Sequence, residues 1–163
     1  MTTAQLSIRL FEALGFSTKL IKSTFGREFA TKTELTPLEF LRIVKKINKK
    51  SASQQGAGPD AAAWERMLPS TWQGTMVREM YSSYEDEFPP DENSFTDEEA
   101  QNIARRGQFL GAADGACLFC CRQDDDSYEL YQLMEEEPPL DLGSFASWLQ
   151  EAISMAESQT PTQ

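Results

Sequence analysis

The chain has 163 residues, 40% of them hydrophobic, with 15 Lys and Arg, 26 Asp and Glu, three Cys and no His. Without His there is no Ser-His-Asp triad, no Cys-His pair, no His-containing zinc site and no haem-His ligation. The charge is uneven: residues 1–50 carry ten basic and four acidic side chains, or +6, and the other 113 carry five and 22, or −17.

The first residues, MTTAQLSIRLFEALGFSTK, lack the basic start, continuous apolar stretch and small-residue cleavage site of a secretory signal. No run of about 18 apolar residues follows to span a membrane. A cytoplasmic protein with reduced thiols is expected. The length suits one domain, or one domain with an appendage.

Ala4 to Leu14 reads as an amphipathic helix, with Leu6, Leu10 and Leu14 beside Ile8 and Phe11, and Gly15 as its stop. Ser17 is a candidate cap for a second short helix to Phe25, with Leu20, Ile21 and Phe25 apolar. Thr36, Pro37 and Glu39 fill the N-cap, N1 and N3 positions of a third helix that runs to Lys50. Its apolar face is Leu38, Phe40, Leu41, Ile43, Val44 and Ile47, and Lys45, Lys46, Lys49 and Lys50 suit its negative end.

Residues 51–60, SASQQGAGPD, read as a flexible linker after the basic segment 1–50. An acidic domain is expected over 61–158, with a frayed tail at 159–163. Within it, Asp60 caps a helix to Met67 and Pro69 interrupts it. Ser70 or Thr71 starts another, with Trp72, Met76, Val77, Met80, Tyr81 and Tyr84 on its buried side. Phe88-Pro89-Pro90 breaks that helix, and residues 85–95 form an acidic loop. Thr96, followed by Asp97, Glu98 and Glu99, reads as the capping box of a helix ending at Gly107.

The period then changes. Residues 108–112, 116–122 and 127–134 are strand-like, and Asp114-Gly115 is a hairpin signal between the first two. Asp124, Asp125 and Asp126 turn the chain into the third strand. Glu135 to Pro139 is expected to end the sheet. Ser144 caps a last helix with the stripe Phe145, Trp148, Leu149, Ala152, Ile153 and Ala156. The fold class is therefore α+β, a short antiparallel meander covered by helices with a helical N-terminal extension.

Cys117 and Cys121 share one face of their strand and Cys120 takes the other, which suits buried small hydrophobes with no His to activate them. Asp124 to Asp126 lack the Gly and the distal Glu of a calcium loop. Trp64, Trp72 and Trp148 sit among apolar residues as core. No phosphate-binding loop, dinucleotide-binding Gly motif, Ser-x-x-Lys or Gly-x-Ser-x-Gly occurs. No catalytic, cofactor-binding or metal-binding residue is assigned. The remaining candidates are acidic loops with aromatic neighbours: Tyr81, Tyr84, Glu85, Asp86, Glu87, Phe88, Asp91 and Glu92, then Asp124, Asp125 and Asp126, then Glu135, Glu136 and Glu137. Such surfaces repel nucleic acid and attract basic proteins.

The stretch Ile103 to Ile153 resembles the second half of the SUKH superfamily of immunity proteins. The matching pieces are Phe109-Leu110-Gly111, Ala113-Asp114-Gly115, the strands ACLFCCR and YELYQL, and the ending GSFASWLQEAI. The family's Ser-Phe-x-x-aromatic-Leu signature reads here as Ser144-Phe145-Ala146-Ser147-Trp148-Leu149. Leu68-Pro69 answers to the family's Leu-Pro step, but no Asn-Gly follows it, and the first 50 residues have no counterpart. The resemblance implies a non-catalytic, monomeric or weakly dimeric protein. It would bind and block a cognate toxin domain, such as a basic nuclease, with no direct contact to nucleic acid or membrane. The alternative is a homodimeric secretion chaperone that binds an effector segment in apolar grooves.

Overall fold

A computed structural model describes residues 1–53, 90–113 and 116–159. The helices expected within 60–84 lie outside the described residues, as do Trp64 and Trp72. Helix α1 spans Thr3–Ala13, α2 Thr18–Phe29 and α3 Pro37–Ser53. A single 3-10 turn at Glu92–Ser94 leads to α4, Glu98–Arg106. Four strands follow, β1 Gln108–Ala113, β2 Ala116–Arg122, β3 Tyr128–Met134 and β4 Leu140–Ser144, and α5 covers Phe145–Gln159. The fold is α+β, with the helices α1–α3 preceding one antiparallel sheet of order β1-β2-β3-β4.

Local chemistry explains where the helices begin. Thr2 caps α1 in a reciprocal box: the Gln5 N–H donates to Thr2 Oγ1 (3.1 Å) and the Thr2 N–H to Gln5 Oε1 (2.9 Å). Ser17 accepts from the Leu20 N–H at the start of α2. At α3 the expected box forms: the Glu39 N–H donates to Thr36 Oγ1 (3.1 Å) and the Thr36 N–H to Glu39 Oε1 (3.0 Å). The cap of α4 differs from the expectation. Asp97, not Thr96, accepts from the Ala100 N–H, and Thr96 instead donates its N–H and hydroxyl to the Glu135 carbonyl oxygen.

Both faces of the sheet are covered. Strand β2, ACLFCCR, is almost continuously buried, as a strand between two layers must be. Its alternate residues Leu118 and Cys120 join the cluster built with α1, α2, α3 and α5. Phe119 and Cys121 enter a second cluster with Ala100 and Ile103 of α4, Phe95 and Leu133. The cysteines therefore divide between the faces as the strand period requires.

Four boundaries differ from the sequence reading. Helix α2 continues past Phe25 to Phe29 through a break at Gly26. Helix α3 runs to Ser53, three residues into the stretch read as linker. Helix α5 is regular to Gln159, the first residue of the expected frayed tail, and residues 160–163 lie outside the described residues. The sheet does not end at Pro139. Strand β4 pairs with β3 (Tyr131↔Asp141, Leu130↔Gly143) across a bulge. Gly143 sits there at φ 88, where glycine is favoured, and its N–H donates to Asp141 Oδ1 at 2.8 Å.

The apolar core does not divide at residues 51–60. Buried side chains from α1–α3 and from the sheet and α5 form one cluster. Phe40 of α3 lies at its centre, with ring centroids 5.9 Å from Phe11, 5.5 Å from Phe145 and 5.7 Å from Trp148. The expected stripe of α5 is buried throughout, from Phe145 to Ala156. Trp148→Ala should cost about 3–5 kcal/mol, the usual range for truncating a large core aromatic. Urea unfolding of the two proteins reads that difference, and an unchanged midpoint would mean that α5 is packed differently.

Candidate functional site

Of the candidate residues, Tyr81, Tyr84, Glu85, Asp86, Glu87 and Phe88 lie outside the described residues. The other three groups are all on loops, and the fold treats them differently.

Asp91 caps the 3-10 turn, its Oδ1 accepting from the Asn93 N–H at 3.1 Å. Glu92 accepts from Arg105 Nε at 2.7 Å. Phe95 is buried beneath this loop and anchors it on α4 and the sheet. Thr96 then ties the loop to the turn after β3, donating to the Glu135 carbonyl oxygen from its N–H (2.9 Å) and its hydroxyl (3.2 Å). The acidic first turn of α4, with Glu98 and Glu99 exposed, is thereby joined to the exposed turn Glu135, Glu136 and Glu137 at one end of the sheet. Asp91 and Glu92 lie along α4 instead, where Glu92 pairs with Arg105 of its last turn.

Asp124, Asp125 and Asp126 form the β2–β3 turn at the far end of β3. At about 3.3 Å per residue over the seven residues of β3, that is about 20 Å away. The turn is satisfied internally. Asp126, at φ 66, pairs with Arg122, and Asp125 accepts from both the Ser127 hydroxyl and its N–H. Those Ser127 bonds hold the Asp125 carboxyl below its ordinary range. Asp125 and Asp126 are thus engaged within the turn, and the run lies the length of a strand from the turn after β3.

A further carboxyl pair escapes the sequence reading. Glu129 of β3 and Asp141 of β4 lie side by side on the sheet. The Glu129 carboxyl is pushed up to about 7 by burial, then by its hydrogen bond to Asp141 and repulsion from Asp141 and Asp125. Burial and the same two carboxylates, Asp141 and Glu129, also raise the Tyr131 phenol, with Arg106 opposing them. Only the pairing of β4 makes this neighbourhood, so no local signal in the sequence marks it.

None of the cysteines forms a disulfide. Burial pushes the Cys120 thiol up to about 12. Burial also raises Cys121, although Arg106 pulls the other way. Thiols of this kind are poor nucleophiles at neutral pH. Among the described residues no three Cys, Asp or Glu converge as metal ligands, and no helix is long and apolar enough to cross a membrane.

No protein-family model matches the chain, and no curated protein or solved structure matches it.

Two measurements check the electrostatics. The folded state holds the Glu129 proton more tightly than the unfolded chain, where the ordinary value is 4.5. Its contribution to stability is therefore complete below that value and lost as the pH rises through about 7. Glu129→Gln keeps a hydrogen-bond donor beside Asp141 without ionising. The variant should gain stability relative to the native protein as the pH climbs through that window, read from urea midpoints below and above it. A constant difference would show that the pair does not share a proton. Separately, Cys120 and Cys121 should resist iodoacetamide in the folded protein and react on unfolding, as followed by mass spectrometry.

Proposed function

We propose that this chain is a non-catalytic immunity protein that binds a basic toxin domain and blocks it through an acidic surface. The observation that carries the reading is the Thr96 to Glu135 junction, which joins the acidic start of α4 to the acidic turn after β3. It links the exposed Glu98 and Glu99 to the exposed Glu135, Glu136 and Glu137. The stretch that resembles SUKH immunity proteins, Ile103 to Ile153, takes in the end of α4, all four strands and most of α5.

The mechanism needs no chemistry. A surface of one sign raises the rate of encounter with a domain of the other sign. Once seated over a basic nucleic-acid-binding cleft, the carboxylates occupy the positions that phosphates would take. The surface suits such docking because its loops are fixed from beneath by Phe95 and by the Thr96 bonds. Little conformational entropy is then lost on binding.

Reversing Glu98, Glu99 and Glu136 to Lys tests the idea, since these side chains are exposed and make no fold-maintaining bond among the described residues. Against a purified basic toxin domain that the unsubstituted chain binds, association should slow by about tenfold or more at low salt, with a smaller change in dissociation. Stopped-flow kinetics at two ionic strengths read both rates. An association rate indifferent to salt and to the reversals would refute the electrostatic mechanism.

A further inference from the structure

The face of the molecule formed by α1 and α2 carries a feature that the acidic surface does not use. Between the two helices lies a cleft of about 460 Å³, within the roughly 300–1,000 Å³ span of small-molecule sites. Its floor is apolar, made by Ile8 of α1 and by Ile21, Phe25 and Phe29 of α2. Ile21 and Phe25 are four apart and share one stripe of the helix. The helix breaks after Phe25 at Gly26, which takes φ 56 and ψ −162, and Phe29 reaches the cleft from beyond that break. A side chain at that position would meet nothing within 4 Å, so the site is held by backbone conformation rather than by crowding.

The rim is charged. Lys22 and Lys32 stand there against Glu12. Lys32 is engaged by Glu39 and lies 5.9 Å from the centre of the Phe29 ring. Lys22 is exposed and makes no ion pair among the described residues. The surrounding segment is basic, at +6 over residues 1–50. An apolar floor beneath an exposed ammonium suits a molecule with an apolar tail and an anionic head. A helix about 10–12 Å across fills on the order of 500 Å³ per turn, so the cleft takes in no more than one turn of a peptide helix. An alkyl chain is slender enough to enter along it.

We propose that this cleft binds a free single-chain carboxylate of the fatty-acid type, its tail on Ile8, Ile21, Phe25 and Phe29 and its carboxylate on Lys22. Burial of the methylenes supplies the affinity and the ammonium supplies the polarity of entry. The site is on the basic helices, remote in charge from the acidic surface, and stands independently of the immunity reading.

Calorimetric titration of the full chain with dodecanoate below its micellar concentration is the test, with dodecyltrimethylammonium as the opposite-charge control. One-to-one binding of dodecanoate and weaker binding of the cation are expected. Lys22→Glu should weaken dodecanoate by about tenfold, as loss of a charge-assisted bond does. Thr18→Trp, an exposed position on the lip, should block entry, with circular dichroism confirming the fold of both variants. Methyl shifts of Ile8 and Ile21 in the unsubstituted chain locate the ligand without relying on any variant. The proposal is overturned if the native chain ignores dodecanoate, binds the cation as tightly, shows no shift at these methyls, or binds unchanged in both folded variants. It is equally overturned if an amphipathic helical peptide shifts these methyls and dodecanoate does not.

Discussion

The ring of Phe40 is where the basic helices meet the rest of the molecule. It packs parallel to Phe11 of α1 and edge-on to Phe145 and Trp148 of α5. Aromatic edge-to-face contacts of this kind add a modest energy to a large buried area. Removing that ring would separate α3 from α5 and uncover the sheet face that both protect. The capping box at Thr36 and Glu39 matters for the same reason, since it sets where α3 begins and so where Phe40 falls.

That apolar junction also decides how the opposed charges are arranged. Two segments of opposite sign could have closed on each other through ion pairs. Instead they meet through hydrocarbon, and among the described residues their charges touch at Arg9 and Glu157, an exposed pair 3.2 Å apart. Exposed pairs contribute little.

The sheet gives the acidic loops their positions. With α4 on one face and α1, α3 and α5 on the other, the strand ends are what remain for solvent. The turn after β2 and the turn after β3 fall at opposite ends of β3, so the two acidic runs there are separated by the length of a strand. The loop before α4 is brought to the second of these ends by Thr96 alone among the polar contacts described. Strand β4 then sets Asp141 beside Glu129, whose proton is held by burial first and by the hydrogen bond and repulsion from Asp141 second.

Sequence alone determined what depends on neighbours along the chain. The capping residues Ser17, Thr36 and Ser144, the apolar stripe from Phe145 to Ala156, and the alternation that splits Cys120 from Cys117 and Cys121 are all local patterns with a fixed period. Tertiary structure decided what depends on a partner distant in sequence. Strand β4, LDLGS, has no β-branched or aromatic residue and follows two prolines, so only its ladder with β3 makes it a strand. Thr96 and Asp97 are both capping residue types, and in the fold Asp97 caps α4 while Thr96 is held on the Glu135 carbonyl. The stretch after Lys50 looked like a boundary because composition reports solvation. Whether two segments share a core is set by which apolar faces meet, and periodicity reveals a face without naming its partner.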